Sequence, residues 1–414
     1  MEKKKLTPDE VQYISFEGGG GKGNTFIGAI EALEERNVIR FKDMKLTNVK
    51  GISGASAGAI TAMLLSCGYD SKYMKTLVKE NKYDFKKFIE RPTSQSVGLM
   101  PRIGGKYQKD KMRYRRYHEY RAIPDEITAK LLKSQTASLL IALGANLVWS
   151  LFEPYEKKVS SRIIKIKQKI NSPFVKELAK NIADYPWGYL ACLGSDWGLF
   201  SGQSARNFFE SMIRYPMSIA GQTLSKNLVT FEEHFNFYRI NLAISGSNFS
   251  TGKSHIFSRH TTPNFPVSDA VRISMSFPFI FKPVVITLDD IKNLPKSKKT
   301  MKIPNEELEG LWVDGGYYNN LPMNVFKDLD HTLGIRLGLD RPNKIDSFLS
   351  YITTYLSLSL FGAGESRLSD SYFPKDQLIT LNPYGLGLLD FEPKAKDLEF
   401  AINKARESVL NYFT

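Results

Sequence analysis

Two short glycine-bearing turns constrain the fold of this chain more than any other feature, because each sits between a strand-like run and an apolar helix-like run. The first is Gly18-Gly19-Gly20-Gly21-Lys22-Gly23, after Val11 to Phe16 and before Phe26-Ile27-Gly28-Ala29-Ile30-Glu31-Ala32-Leu33. The second is Gly54-Ala55-Ser56-Ala57-Gly58, after Leu46 to Ser53 and at the start of Ala57 to Ser66, a segment apolar all round. Strand, turn and helix, repeated in that order, predict a parallel sheet with crossover helices. Strand signals return at Tyr238 to Ser245, His255 to Ser258, Leu311 to Val313 and Thr332 to Leu337, with a turn at Asn248 to Lys253. Lys394 to Tyr412 reads as an amphipathic helix.

A glycine turn entering a helix presents a row of unobstructed backbone N–H groups near a positive helix end. Such a row can hold a phosphate or the oxyanion of an acyl transfer, and the first loop alone does not choose. The second turn chooses, since it fits the G-x-S-x-G nucleophile elbow in the required strand-to-helix setting. Gly54 and Gly58 are needed there because a Cβ at either position would collide with the neighbouring strand or helix. The Ser56 hydroxyl is pushed clear of the backbone, above a helix N-terminus. A serine nucleophile needs a base, and the five histidines (His118, His234, His255, His260 and His331) stand in no strand-end and glycine setting. Asp314 does: it ends an apolar strand and is followed by Gly315 and Gly316, which let another backbone come close. Gly252-Lys253-Ser254 is not a P-loop, because Ser247 occupies the position of the required glycine.

A G-G-G-x-K-G loop, then G-x-S-x-G, then D-G-G resembles the patatin-like phospholipase family, whose motifs come in this order. Three further blocks are similar to family segments: Gly198 to Gly202, Val267 to Pro283, and Trp312 to Pro322 with its D-G-G-x-x-x-N-x-P pattern. The resemblance covers about residues 11–95 and 196–395. It implies an α/β fold, a three-layer α/β/α hydrolase with a central, mostly parallel sheet; the basic stretch 93–195, expected to be a helical insert, is the chain's larger departure from the family, so lid and substrate specificity do not carry over. It also implies a lipid acyl hydrolase with Ser56 as nucleophile and Asp314 as general base, no histidine, and no metal or cofactor. Gly18, Gly19, Gly20, Gly21 and Gly23 would form the oxyanion loop, with the Gly19 to Gly21 amides as donors. Glu17 stands where the family often has Asp, a departure that keeps the charge. Two other readings remain open: a membrane-binding protein with a vestigial site, and an α/β-hydrolase carboxylesterase with a Ser-Asp-His triad.

Charge divides the chain. Its 57 Lys and Arg outnumber 43 Asp and Glu, a net +14, and residues 93–195 hold 18 of those cations against 8 acids. Residues 1–92 and 196–414 are therefore expected to form the two parts of the catalytic domain, with 93–195 as a basic insert. The insert interleaves Tyr107, Tyr114, Tyr117 and Tyr120 with Lys and Arg, then has an apolar run from Thr136 to Phe152 and a basic-apolar run from Ser161 to Ile170. That composition suits docking on an anionic phospholipid surface or a lid. A helical hairpin with a solvated basic face is the plainer alternative. No nucleic-acid motif accompanies the cations, so nucleic acid is not an expected partner, whereas a regulatory activator is compatible with this reading.

The Thr136 to Phe152 run, about 17 residues or 25 Å as a helix, falls short of the roughly 30 Å hydrocarbon core. Cys67 and Cys192 can make neither a disulfide framework nor a zinc site. Met1 to Pro8 has no apolar run of a secretory signal, so a cytoplasmic, peripherally membrane-associated protein is expected, with signal-independent export left open.

Overall fold

The computed structural model describes residues 5–79, 88, 90, 91, 99–109, 186–224, 227–296, 299–338, 374–387 and 391–414. An 8-stranded mixed sheet organises them. Its strands are β1 (Tyr13–Phe16), β2 (Gly51–Gly54), β3 (Asn241–Asn248), β4 (Lys253–Ser258), β5 (Val284–Ile286), β6 (Gly310–Asp314), β7 (Thr332–Leu337) and β8 (Leu378–Leu381). From β3 through β2, β1 and β7 to β8, every neighbouring pair is parallel. β4 runs antiparallel along one edge of β3. The other edge of β3 is shared: Asn241 to Ile244 pair with β2, and Gly246 to Asn248 pair antiparallel with β6, which in turn carries β5.

The central strands are apolar because both of their faces are covered. On one face Phe16 meets Phe26 edge to face at 5.2 Å. On the other, Tyr13 stacks on Phe326 at 4.5 Å and the Ser53 hydroxyl donates to the Pro322 carbonyl at 2.9 Å. Each fully buried side chain such as Ile14, Phe16 or Ile52 contributes roughly 1.5–3 kcal/mol. Among the described residues the α-helices of eight residues or more are α1 (Phe26–Glu35), α2 (Ala57–Ser66), α3 (Ser71–Lys79), α4 (Pro186–Asp196), α5 (Gln203–Ile219), α6 (Phe231–Tyr238), α7 (Val267–Ser274) and α8 (Ala395–Tyr412). α8 buries Leu398, Ala401, Ile402, Ala405 and Val409 on one stripe. It lies so close to α1 that a Cβ on Gly28 would sit 1.9 Å from the Ile402 carbonyl oxygen.

Two expected strands are drawn differently. The run from Leu46 to Ser53 is not one strand: Lys45–Leu46 pairs with Phe41–Lys42, and β2 starts at Gly51. Between them Thr47 donates to the Arg40 carbonyl and Asn48 to that of Asn37, side-chain bonds that turn the backbone out of the ladder. The strand expected at Tyr238 to Ser245 runs instead from Asn241 to Asn248. Tyr238 completes α6, which opens on a Thr230–Glu233 capping box and closes at Arg239 in the left-handed region, φ 62°.

The described ends of the basic stretch, 99–109 and 186–195, are part of this unit. Leu99–Pro101 and Tyr107–Lys109 form a hairpin, held by Arg102 to Asp290 and Thr287 and by the Gly104 N–H to Asp269. In α4 both Tyr189 and Cys192 are buried. The two ends meet at Lys282, whose ammonium donates to Asp196 at 2.8 Å and to the Leu99 carbonyl at 3.4 Å. The remainder of the tract Lys106 to Arg121 beyond Lys109, and the runs Thr136 to Phe152 and Ser161 to Ile170, lie outside the described residues. No helix among the described residues is long and apolar enough to cross a membrane.

Candidate active site

β2 delivers its chain into a turn so tight that Ser56 takes φ 51°, ψ −122°, a backbone state that costs an L-residue of order 1–3 kcal/mol. The elbow glycines are sterically obligatory. A Cβ on Gly54 would lie 2.2 Å from the Gly58 carbonyl oxygen, and one on Gly58 2.3 Å from that of Phe16. The Ser56 N–H donates to the Ser274 hydroxyl of α7 at 2.9 Å, which fixes the strained peptide. α2 then begins at Ala57, and its apolar circumference has a simple cause. Most of the helix is buried, and its half-buried Ala57 and Ile60 line a cleft.

β2 and β6 reach the same edge of β3 from opposite directions. Gly54 pairs with Ile244 and Asp314 with Gly246, so the two strand ends face each other about 7 Å apart along the pleat. This head-to-head meeting brings together residues 258 positions apart: the Ser56 hydroxyl donates to Asp314 Oδ2 at 2.7 Å. Gly316 N–H donates to Asp314 Oδ1 at 2.8 Å. Gly315 admits the Ser245 backbone, whose carbonyl oxygen would lie 2.1 Å from an added Cβ. Asp314 is 1% exposed. Burial pushes its carboxyl up to about 7, against the smaller lowering from the Ser56 and Gly316 hydrogen bonds.

The first glycine loop divides into a structural and a cleft-facing part. The Gly18 N–H, expected among the oxyanion-loop residues, is committed to the Asn320 carbonyl at 3.1 Å, so it offers no free donor. Gly19 packs beneath Leu337, whose Cδ1 would lie 2.2 Å from an added Cβ. Gly20, Gly21 and Gly23 line the cleft beside Ser56. Glu17, buried, accepts the Leu337 N–H at 2.6 Å and ties the end of β1 to that of β7. The cleft opens to solvent and its walls are apolar: Phe26, Ile27, Leu64, Leu77, Met275, Phe277, Ile280 and Phe281 among others.

Each described histidine is engaged elsewhere: His234 with Ser66, His255 with Glu307, His260 with Asn241 and His331 with Asp328. Among the described residues no three His, Cys, Asp or Glu side chains converge as a metal site would. Two site residues escaped the reading of the residues one by one. Asn320 clasps Gly18 by donating from its side chain to the Gly18 carbonyl at 3.2 Å while accepting the Gly18 N–H on its own. The N of the D-G-G-x-x-x-N-x-P pattern was the available signal for it. Ser274, inside the matching block Val267 to Pro283, carried no signal of its role.

The family model of patatin-like phospholipases matches residues 14–327. Among curated proteins the chain is similar to Uncharacterized protein R571 of Acanthamoeba polyphaga mimivirus, 26% identical over 231 residues, 52% of this chain and 65% of that one. It is also similar to Probable lipid hydrolase 463L of Invertebrate iridescent virus 6, 25% identical over 131 residues, 32% of this chain and 36% of that one. The chain thus spans less than two thirds of the length of these relatives. Among solved structures VipD from Legionella pneumophila aligns over 98% of this chain and 67% of its own, at 18% identity and a TM-score of 0.46. ExoU from Pseudomonas aeruginosa aligns over 99% of this chain and 52% of its own, at 16% identity and a TM-score of 0.36. With the family model spanning both glycine turns, the elbow serine and the aspartate that meets it, this chain belongs to the patatin-like phospholipase family.

Proposed function

We propose that the protein is a lipid acyl hydrolase that cleaves ester-linked fatty acids from phospholipids through a Ser56–Asp314 dyad. The observation that carries this reading is the 2.7 Å bond from the Ser56 hydroxyl to a buried carboxylate beside an apolar cleft. A carboxyl raised to about 7 is matched to proton transfer near neutrality, unlike an ordinary carboxylate. Asp314 takes the hydroxyl proton as Ser56 Oγ attacks the ester carbonyl. The Gly20 and Gly21 amides, in residues beside Ser56, would receive the oxyanion. Collapse of the tetrahedral species releases the lysolipid alcohol with the proton from Asp314 and leaves an acyl-Ser56. Water then attacks that ester, Asp314 accepts its proton, and the fatty acid departs as the proton returns to Ser56.

The apolar walls suit an acyl chain and reject a polar or polymeric substrate. A phospholipid surface of anionic character is the partner this reading requires, with an activator as a further component. Fatty-acid release from mixed vesicles by wild type, Ser56→Ala and Asp314→Asn tests it. Both variants should fold and lose turnover by several orders of magnitude. Full activity in either would remove that residue from the chemistry.

A further inference from the structure

The turn Phe277-Pro278-Phe279-Ile280 has proline at its second position, φ 68° at its third, and a closing bond from Ile280 N–H to the Phe277 carbonyl at 3.2 Å. These are the marks of a type II turn, whose third position favours glycine because L-side chains rarely adopt that φ. This chain places phenylalanine there and leaves it 43% exposed. Phe279 pairs with Gly198 in a short parallel ribbon of Gly198–Phe200 and Phe279–Phe281. The residue before Gly198 is Trp197, also left-handed at φ 58° and 46% exposed. Two large aromatics at unfavourable backbone angles thus stand at the same end of one ribbon. The same short segment lines the cleft through Phe277, Ile280 and Phe281.

We propose that Phe279 and Trp197 form a wedge that enters the surface of a phospholipid bilayer and sets the cleft mouth against it. This deepens the hydrolase reading and rests on it. The occupant is lipid because the wedge is continuous in sequence with cleft walls that are themselves apolar, so an acyl chain can pass from bilayer to cleft without crossing water. Phenylalanine supplies shallow insertion and tryptophan anchors at headgroup level.

The test compares wild type, Phe279→Gly and Trp197→Phe. Glycine suits the turn, so Phe279→Gly should keep its folded stability. The substrates are mixed phosphatidylcholine–phosphatidylglycerol vesicles and the soluble ester p-nitrophenyl butyrate. Phe279→Gly should lower vesicle association and vesicle turnover about tenfold, the loss expected for one aromatic removed from apolar surroundings, with soluble-ester turnover unchanged. Brominated-chain lipids should quench the emission component that Trp197→Phe removes. Unchanged vesicle association overturns the proposal, as does an equal loss on the soluble ester, which would place Phe279 in the cleft. A wild-type dimer dissociated by Phe279→Gly also overturns it, since a second copy would then cover this face. Vesicle association that depends on Phe279 without any Ser56-dependent ester turnover would instead sink the hydrolase reading and leave the wedge standing.

Discussion

Replacing Asp314 with Asn should destroy activity and at the same time stabilise the fold in alkaline solution, because the residue carries a buried charge that the proposed chemistry uses and the fold does not need. Burial raises the carboxyl from 3.8 to about 7. Between those values the native state holds a proton that the unfolded chain has released, so raising the pH across this window lowers stability. The full loss corresponds to about 4 kcal/mol, complete once the pH passes the folded-state value. Asn keeps the local hydrogen bonds, since its oxygen can accept the Gly316 N–H and its amide can donate to Ser56. It carries no charge to bury.

The assay is urea unfolding of wild type and Asp314→Asn at a series of pH values from 4 to 9, with equal m-values as the check that only stability has changed. Below about pH 4 the two proteins should differ little. The variant should then gain on wild type through the acid range, reaching an advantage of up to about 4 kcal/mol at pH 8 to 9. Wild-type kcat/KM should fall on the acid side with a limb near pH 7, as the base becomes protonated. Parallel stability curves for the two proteins would refute the argument, since they would mean that the carboxyl titrates alike in the folded and unfolded chains.

Two further perturbations test the scaffold. Gly58→Ala places a Cβ 2.3 Å from the Phe16 carbonyl oxygen, and backbone cannot yield as a side-chain tip can. It should cost about 3 kcal/mol or more in chemical denaturation, and near-wild-type stability would show that the elbow is looser than its geometry implies. Lys282→Met takes the balancing ammonium from Asp196, which has no exposed surface and keeps the Ser195 hydroxyl as a donor, and should cost about 3–5 kcal/mol. The double variant Lys282→Met with Asp196→Leu should regain most of that loss, and additive losses in the double variant would contradict a coupled pair.

What could be read early followed local rules. α2 was expected over Ala57 to Ser66 and is found there, and β7 over Thr332 to Leu337 likewise, because an unbroken apolar run between turn residues offers few alternatives. The elbow glycines and the D-G-G turn announced themselves through residue type, since the close approaches at Gly54, Gly58 and Gly315 admit no Cβ. Reading was weaker where side chains compete with the ladder, as Thr47 and Asn48 do ahead of β2. Nor does the loop sequence announce that Asn320 holds both the amide and the carbonyl of Gly18 from 302 positions away.

The sequence by itself therefore determined the chemistry available: a serine on a strained elbow, an aspartate at a strand end, and glycines where backbones must touch. Only the tertiary structure decided how these parts meet. β2 and β6 end face to face because they share one edge of β3, and neither strand contains a local signal of that pairing. Nor does any local signal give the buried position of Asp314, which turns an ordinary acid into a group titrating near neutrality. Covalent neighbours set backbone angles and residue volumes, whereas desolvation and strand register depend on segments distant in the chain, so they exist only once those segments have packed together.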